Sequence, residues 1–103
     1  MSKKTNQDIK QLRAIGHKLK PVVTIAGKGL TDNIIAEIDR ALTDHELIKI
    51  KLAVGSREAR TEVTEQITEQ SGATLIQSIG NIILILRRAE TPDPKLSNLI
   101  KTL

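Results

Sequence analysis

Twice in this chain a β-branched run gives way, across a glycine, to an apolar repeat of helical period. Residues 21 to 42 read "PVVTIAGKGLTDNIIAEIDRAL". A short strand pattern, "PVVTI", leads into a glycine turn, and Thr31 then caps a helix whose apolar stripe is Ile34, Ile35, Ile38, Ala41 and Leu42. The change recurs after residue 47, where Ile48, Ile50 and Leu52 alternate with Lys49 and Lys51. Gly55 and Ser56 break that strand, and a helix over about residues 57–70 follows on a thin stripe of Ala59, Val63 and Ile67. A strand, a helix and a strand in succession call for a right-handed crossover and parallel pairing. The pattern predicts a small α/β domain.

The flanks complete it. Ile9, Leu12 and Ile15 recur at helical spacing behind Thr5, a plausible N-cap, and Gly16 and Pro21 end that helix. Gly72 closes the third helix in the C′ manner. "ATLIQSI" and "IILILR" are two further strands separated only by Gly80 and Asn81, a two-residue hairpin loop. The predicted order is α-β-α-β-α-β-β with a four-stranded mixed sheet, in one domain over residues 1–103. In the tail, Asp93 and Pro94 suit the start of a short final helix with Leu96, Leu99, Ile100 and Leu103 on one face. The longest apolar run, "IILIL", is far too short to span a bilayer, and no secretory signal opens the chain. Cysteine is absent, which excludes disulfides and thiolate metal sites. A cytoplasmic monomer is the expectation.

The chain has no Phe, Tyr or Trp. Modules that stack bases on aromatic rings are therefore excluded, and a nucleic-acid partner would have to be held through phosphates, sugars and shape. The net charge of +4 says little alone, but it is separated into blocks. Residues 1–20 carry six Lys/Arg against Asp8, and residues 47–60 carry four against Glu58. The intervening and following stretches, 21–46 and 61–80, are each net −3. One basic face and one acidic face are expected.

"AGKGLT" does not fit a nucleotide-binding loop. A P-loop would need glycine where Val22 stands and Ser or Thr where Gly29 stands, and a dinucleotide fingerprint from Gly27 would place Asp32 beside the pyrophosphate. Two readings remain: a turn former, or a backbone clamp whose amides and helix N-terminus accept phosphate, with Lys28 adding a charge. His17 and His45 lack ligand spacing, and Ser56 lacks a nucleophile-elbow context. No cofactor or metal is expected, and the chain does not read as an enzyme. Lys49 and Lys51, Arg57 and Arg60, and Arg87 with Arg88 are further basic pairs.

"LRAIGHKLKPVVTIAGKGLT", followed by "EIDRALTDHELIKIKLAV" and "SREAR", resembles the YhbY-type CRM domain, named for chloroplast RNA splicing and ribosome maturation. The likeness covers about residues 5 to 88, with residues 89–103 a C-terminal extension outside it. It implies an RNA-binding domain similar in topology to the C-terminal domain of translation initiation factor three. It further implies binding of large-subunit ribosomal RNA or its precursor during ribosome assembly. The family's G-x-x-G loop falls on Ala26, Gly27, Lys28 and Gly29, with Ala26 in place of the first glycine and Gly27 supplying the flexibility. Lys18, Lys20, Lys28, Lys49, Lys51, Arg57 and Arg60 are the expected phosphate contacts. The alternative is a protein–protein adaptor docking on a ribosomal or other protein partner through the C-terminal apolar stripe.

Overall fold

The computed structural model describes residues 2–100, with side chains from Ile9 onward. The first helix starts at Ser2, so Thr5 lies within it and not at its N-cap, and the place of Leu103 on a terminal stripe lies outside the described residues. The elements are α1 (Ser2–His17), β1 (Pro21–Ile25), α2 (Asp32–His45), β2 (Leu47–Leu52), α3 (Arg57–Ser71), β3 (Thr74–Ile79) and β4 (Ile82–Leu86). Their order is the expected one. No helix among the described residues is long and apolar enough to cross a membrane.

The sheet order is β1-β2-β4-β3. β1 runs parallel to β2, whereas β4 is antiparallel to both β2 and β3. The second crossover therefore does not pair its two strands, as the sequence pattern suggested. β4 sits between them. The reason lies in composition: "IILIL" is apolar on both faces and gains most from a central place, whereas "TLIQSI" tolerates an edge. Ile83, Leu84 and Ile85 are fully or almost fully buried, while no residue of β3 is.

Strand alternation sorts the core into two layers. Val23, Ile25, Ile48, Ile50, Leu52, Ile83 and Ile85 face α2 and α3, where Ile38, Leu42, Val63 and Ile67 meet them. Leu47 and Leu84 face the other way and join Leu12 of α1, with Ile15, Leu19, Ile76, Leu86 and Leu99 around them. Gly16 is buried against this second layer. A Cβ built there would lie 2.5 Å from Leu84 Cδ2, so this glycine permits close approach of α1 to β4. Its role is packing as well as position near a helix end.

Among the described residues the tail forms turns in place of the expected helix. It makes turns from Asp93, whose carbonyl accepts the Ser97 N–H at 2.8 Å, and then docks on the corner between α2 and β2. Asn98 N–H donates to the His45 carbonyl at 2.9 Å, and Asn98 Nδ2 donates to the Leu47 carbonyl at 2.7 Å. His45 Nδ1 lies 2.9 Å from the Leu96 carbonyl, which can only accept, so that nitrogen carries the proton. Ser97 is fully buried and Leu99 packs into the α1 layer. Of the described residues of the supposed docking stripe, Leu99 and Ile100 are half-buried and Leu96 is exposed.

Candidate nucleic-acid interface

Three connections meet at one end of the sheet. After β1, the Gly29 N–H donates to the Ala26 carbonyl at 2.9 Å, closing a turn over Gly27 and Lys28. After β2, Ala53 N–H donates to the Ile25 carbonyl at 2.7 Å, which ties the second connection to the first. The β3–β4 hairpin comes alongside, where Leu52 N–H donates to the Asn81 carbonyl at 2.7 Å. Gly80 has φ +56 and Asn81 a negative φ, the sign pattern of a type II′ hairpin turn. In open α/β sheets the carboxyl ends of parallel strands are where ligands commonly bind.

Both crossover helices start here. Thr31 Oγ1 accepts the Ile34 N–H at 3.2 Å, and Ser56 Oγ accepts the Ala59 N–H at 3.1 Å. Each cap leaves earlier first-turn amides available and aims a positive helix end at the same rim. Asp32 and Glu58 stand in those first turns and offset part of that potential. The surplus positive charge at the rim must come from side chains.

Gly29 has φ +71, and a Cβ built on it would meet nothing within 4 Å. Gly27 is outside the positive-φ region, so the freedom expected of Gly27 is used at Gly29 instead. Ala26 needs no positive φ either, which explains why a Cβ is tolerated there.

The candidate cations divide. Lys28 is exposed on the first turn. Lys51 is exposed at the end of β2, paired with Thr24 on one side and Ile82 on the other. Arg57 and Arg60 open α3 and line a groove that reaches Ser78 and Gly80 at the hairpin. These four surround the strand ends. Lys49 lies two residues back on the α1 face, half-buried in a groove with His17 and Ile79, and exposed Lys18 follows that histidine. Lys20 does not join them. It lines a depression with His45, Ile48 and Asn98, at the opposite end of β1 and roughly 20 Å of extended chain from Ala26.

Arg87 is also outside the group. Its Nη1 donates to Asp39 Oδ1 at 2.8 Å and to the Ser71 carbonyl at 2.9 Å, and its Nη2 donates to the Asp39 carbonyl and Thr43 Oγ1, each at 3.0 Å. It is a structural tie between β4, α2 and the end of α3. The Asp39 pair is the single ion pair among the described residues. Lys28, Lys51, Arg57 and Arg60 make no side-chain bond among them and remain available to an anion. No cluster of three or more His, Cys, Asp or Glu suited to a metal occurs among the described residues.

Sequence reasoning missed Gly80, Asn81, Leu75 and Ser78 as neighbours of the basic group. The strand order brings them there, and the full apolarity of β4 was the available signal for it.

A compact α/β domain with its glycine turn and basic side chains at the strand ends is the class of protein these features define. Residues 5–87 match the CRS1 / YhbY (CRM) domain, and the chain belongs to that family. It is 45% identical over 95 residues to a probable RNA-binding protein of Pseudomonas aeruginosa, covering 92% of this chain and 91% of that one. It is 40% identical to an RNA-binding protein of Haemophilus influenzae over 77% of this chain and 80% of that one. The solution structure of a hypothetical protein of Staphylococcus aureus superposes with a TM-score of 0.72 at 29% identity, covering 82% of this chain and 88% of that one.

Proposed function

We propose that this chain is a non-enzymatic RNA-binding protein that engages large-subunit ribosomal RNA, or its precursor, during ribosome assembly. The observation that carries the reading is the meeting of the Ala26–Gly29 turn, two helix N-termini and four cations without a partner among the described residues, at one end of the sheet. Relatives named as RNA-binding proteins support it, and the ribosomal target rests on the family resemblance. Lys28, Lys51, Arg57 and Arg60 take phosphates, Lys49 and Lys18 extend the track along the α1 face, and the turn amides of Gly27 to Gly29 approach the backbone. With no aromatic rings to stack bases, affinity is mainly electrostatic and shape-dependent.

The test is salt dependence together with fractionation. Affinity for a structured fragment of large-subunit RNA should fall steeply with salt, and each phosphate contact removed should flatten the slope by about 0.7–0.9. In gradient fractions the protein should travel with large-subunit precursors. Its confinement to free fractions at low salt, with a flat salt response, would overturn the proposal.

A further inference from the structure

The thin apolar stripe of α3 leaves part of the sheet uncovered. Val63 and Ile67 pack on the central strands, but Leu75 of the edge strand β3, on the same sheet face, remains 42% exposed. Between α3 and β3 runs a groove of about 430 Å³, within the range of ~300–1,000 Å³ typical of small-molecule sites. Leu75 and Ser78 form its β3 side, Arg57 and Arg60 line it from the start of α3, and Glu65 lines it further along the helix.

The polar groups of this groove are unequally occupied. Thr61 Oγ1 donates to the Arg57 carbonyl at 3.1 Å and Thr64 Oγ1 to the Arg60 carbonyl at 2.7 Å, so both hydroxyls are turned back on their own helix. The guanidinium groups of Arg57 and Arg60 and the carboxylate of Glu65 have no partner among the described residues. Arg60 is half-buried in that unpaired condition. β3 is bulged between Leu75 and Gln77, which sets Leu75 and Ser78 on the same side although they are an odd number of positions apart. As an edge strand, β3 also keeps one row of backbone groups unpaired.

Cations at one end, an aliphatic wall in the middle and a lone acceptor beyond match the parts of one nucleotide. We infer that this groove seats a single unpaired nucleotide of the bound RNA. The phosphate sits on Arg57 and Arg60, and the base lies flat against Leu75. Glu65 accepts from an exocyclic amino group, which cytidine, adenosine and guanosine carry; uridine offers only its N3–H, flanked by two carbonyl oxygens that repel the carboxylate, and is held least well. The inference rests on the RNA-binding reading and adds to it a single-stranded element, because a paired base cannot enter the groove.

The absence of Phe, Tyr and Trp makes the test clean. The only aromatic side chains are His17 and His45, neither of which lines this groove, so a ring-current shift at Leu75 must come from a bound base. The full chain is titrated with each of the four 5′-mononucleotides and with a short unpaired RNA, and the Leu75 methyl signals are followed. An upfield shift, weakest with uridine monophosphate, is expected. Leu75→Ala should lower affinity for the unpaired RNA roughly fivefold or more while leaving affinity for an uninterrupted RNA duplex unchanged. Retained duplex binding also shows that the variant is folded. Unmoved Leu75 methyls together with wild-type single-strand affinity in Leu75→Ala would overturn the inference and leave RNA binding at the strand ends intact. Binding of neither RNA by the unaltered chain would overturn the RNA-binding reading itself.

Discussion

Ser97 and Glu46, 51 residues apart in sequence, meet in the interior: the Ser97 hydroxyl donates to Glu46 Oε1 at 2.7 Å. The other carboxylate oxygen accepts the Ala89 N–H at 2.6 Å, and the Glu46 backbone carbonyl accepts the Arg87 N–H at 2.9 Å. Glu46 is only 3% exposed and holds φ +64, an unusual conformation for a residue with a Cβ. Such strain persists only where surrounding bonds fix it, and here the C-terminal extension supplies two of them, from Ala89 N–H and Ser97. A segment outside the likeness to the CRM domain is therefore part of the fold.

Glu46→Ala should lower stability by about 2–4 kcal/mol, because it strands the buried Ser97 hydroxyl and the half-buried Ala89 N–H. Ser97→Ala should cost about 1–3 kcal/mol: Glu46 keeps its bond to Ala89 N–H, but its other oxygen loses its donor and the Leu99 N–H loses its acceptor. Urea denaturation of both variants measures this. Equal, small losses would mean that the tail is only loosely laid against the corner.

Gly16→Ala carries a test of sign. In an unobstructed helix the change would stabilise by roughly 0.5–1 kcal/mol, because alanine is the better helix former. Here the new methyl would press on the buried Leu84 side chain, and overpacking of this kind costs about 1–3 kcal/mol. Net destabilisation is expected, with recovery in Gly16→Ala combined with Leu84→Val. A rise in the urea midpoint of the single variant would refute the close approach.

What was legible in the sequence depended on locality. The elements and their order followed from apolar period and from caps such as Thr31 and Ser56, because those signals lie within a few residues. Strand order is a contest between whole strands, and a rule about consecutive elements favoured β2 beside β3. The both-faced apolarity of Ile82 to Leu86 decided otherwise. The same distinction governs the interface. Lys28, Arg57 and Arg60 could be placed near turns by inspection, but Lys20 looked equivalent until β1 carried it to the far end of the sheet. Arg87 looked like a free basic residue because its partners, Asp39, Thr43 and Ser71, come from other elements.

Lys20 and Lys28 therefore separate two maps of the interface. Lys28→Ala should weaken binding to structured large-subunit RNA and flatten the salt slope by about 0.7–0.9, whereas Lys20→Ala should change neither beyond a small general charge effect. The reverse result would move the RNA track to the depression near His45 and Asn98.

Gly29 gives the sharpest test of the turn. Its φ of +71 disfavours any side chain, while the space around a Cβ is open, so conformational strain and not collision is the structural penalty. Gly29→Val should cost about 1–2 kcal/mol in stability for that reason alone. If the turn amides also hold a phosphate, the valine displaces the backbone from it, and affinity falls in the protein that remains folded. Ala26→Gly, which adds only freedom, should leave affinity nearly unchanged. Melting temperature and RNA affinity measured on the same Gly29→Val sample separate the two roles. A lowered melting temperature with full affinity would reduce the turn to a connector and leave Lys51, Arg57 and Arg60 as the phosphate contacts.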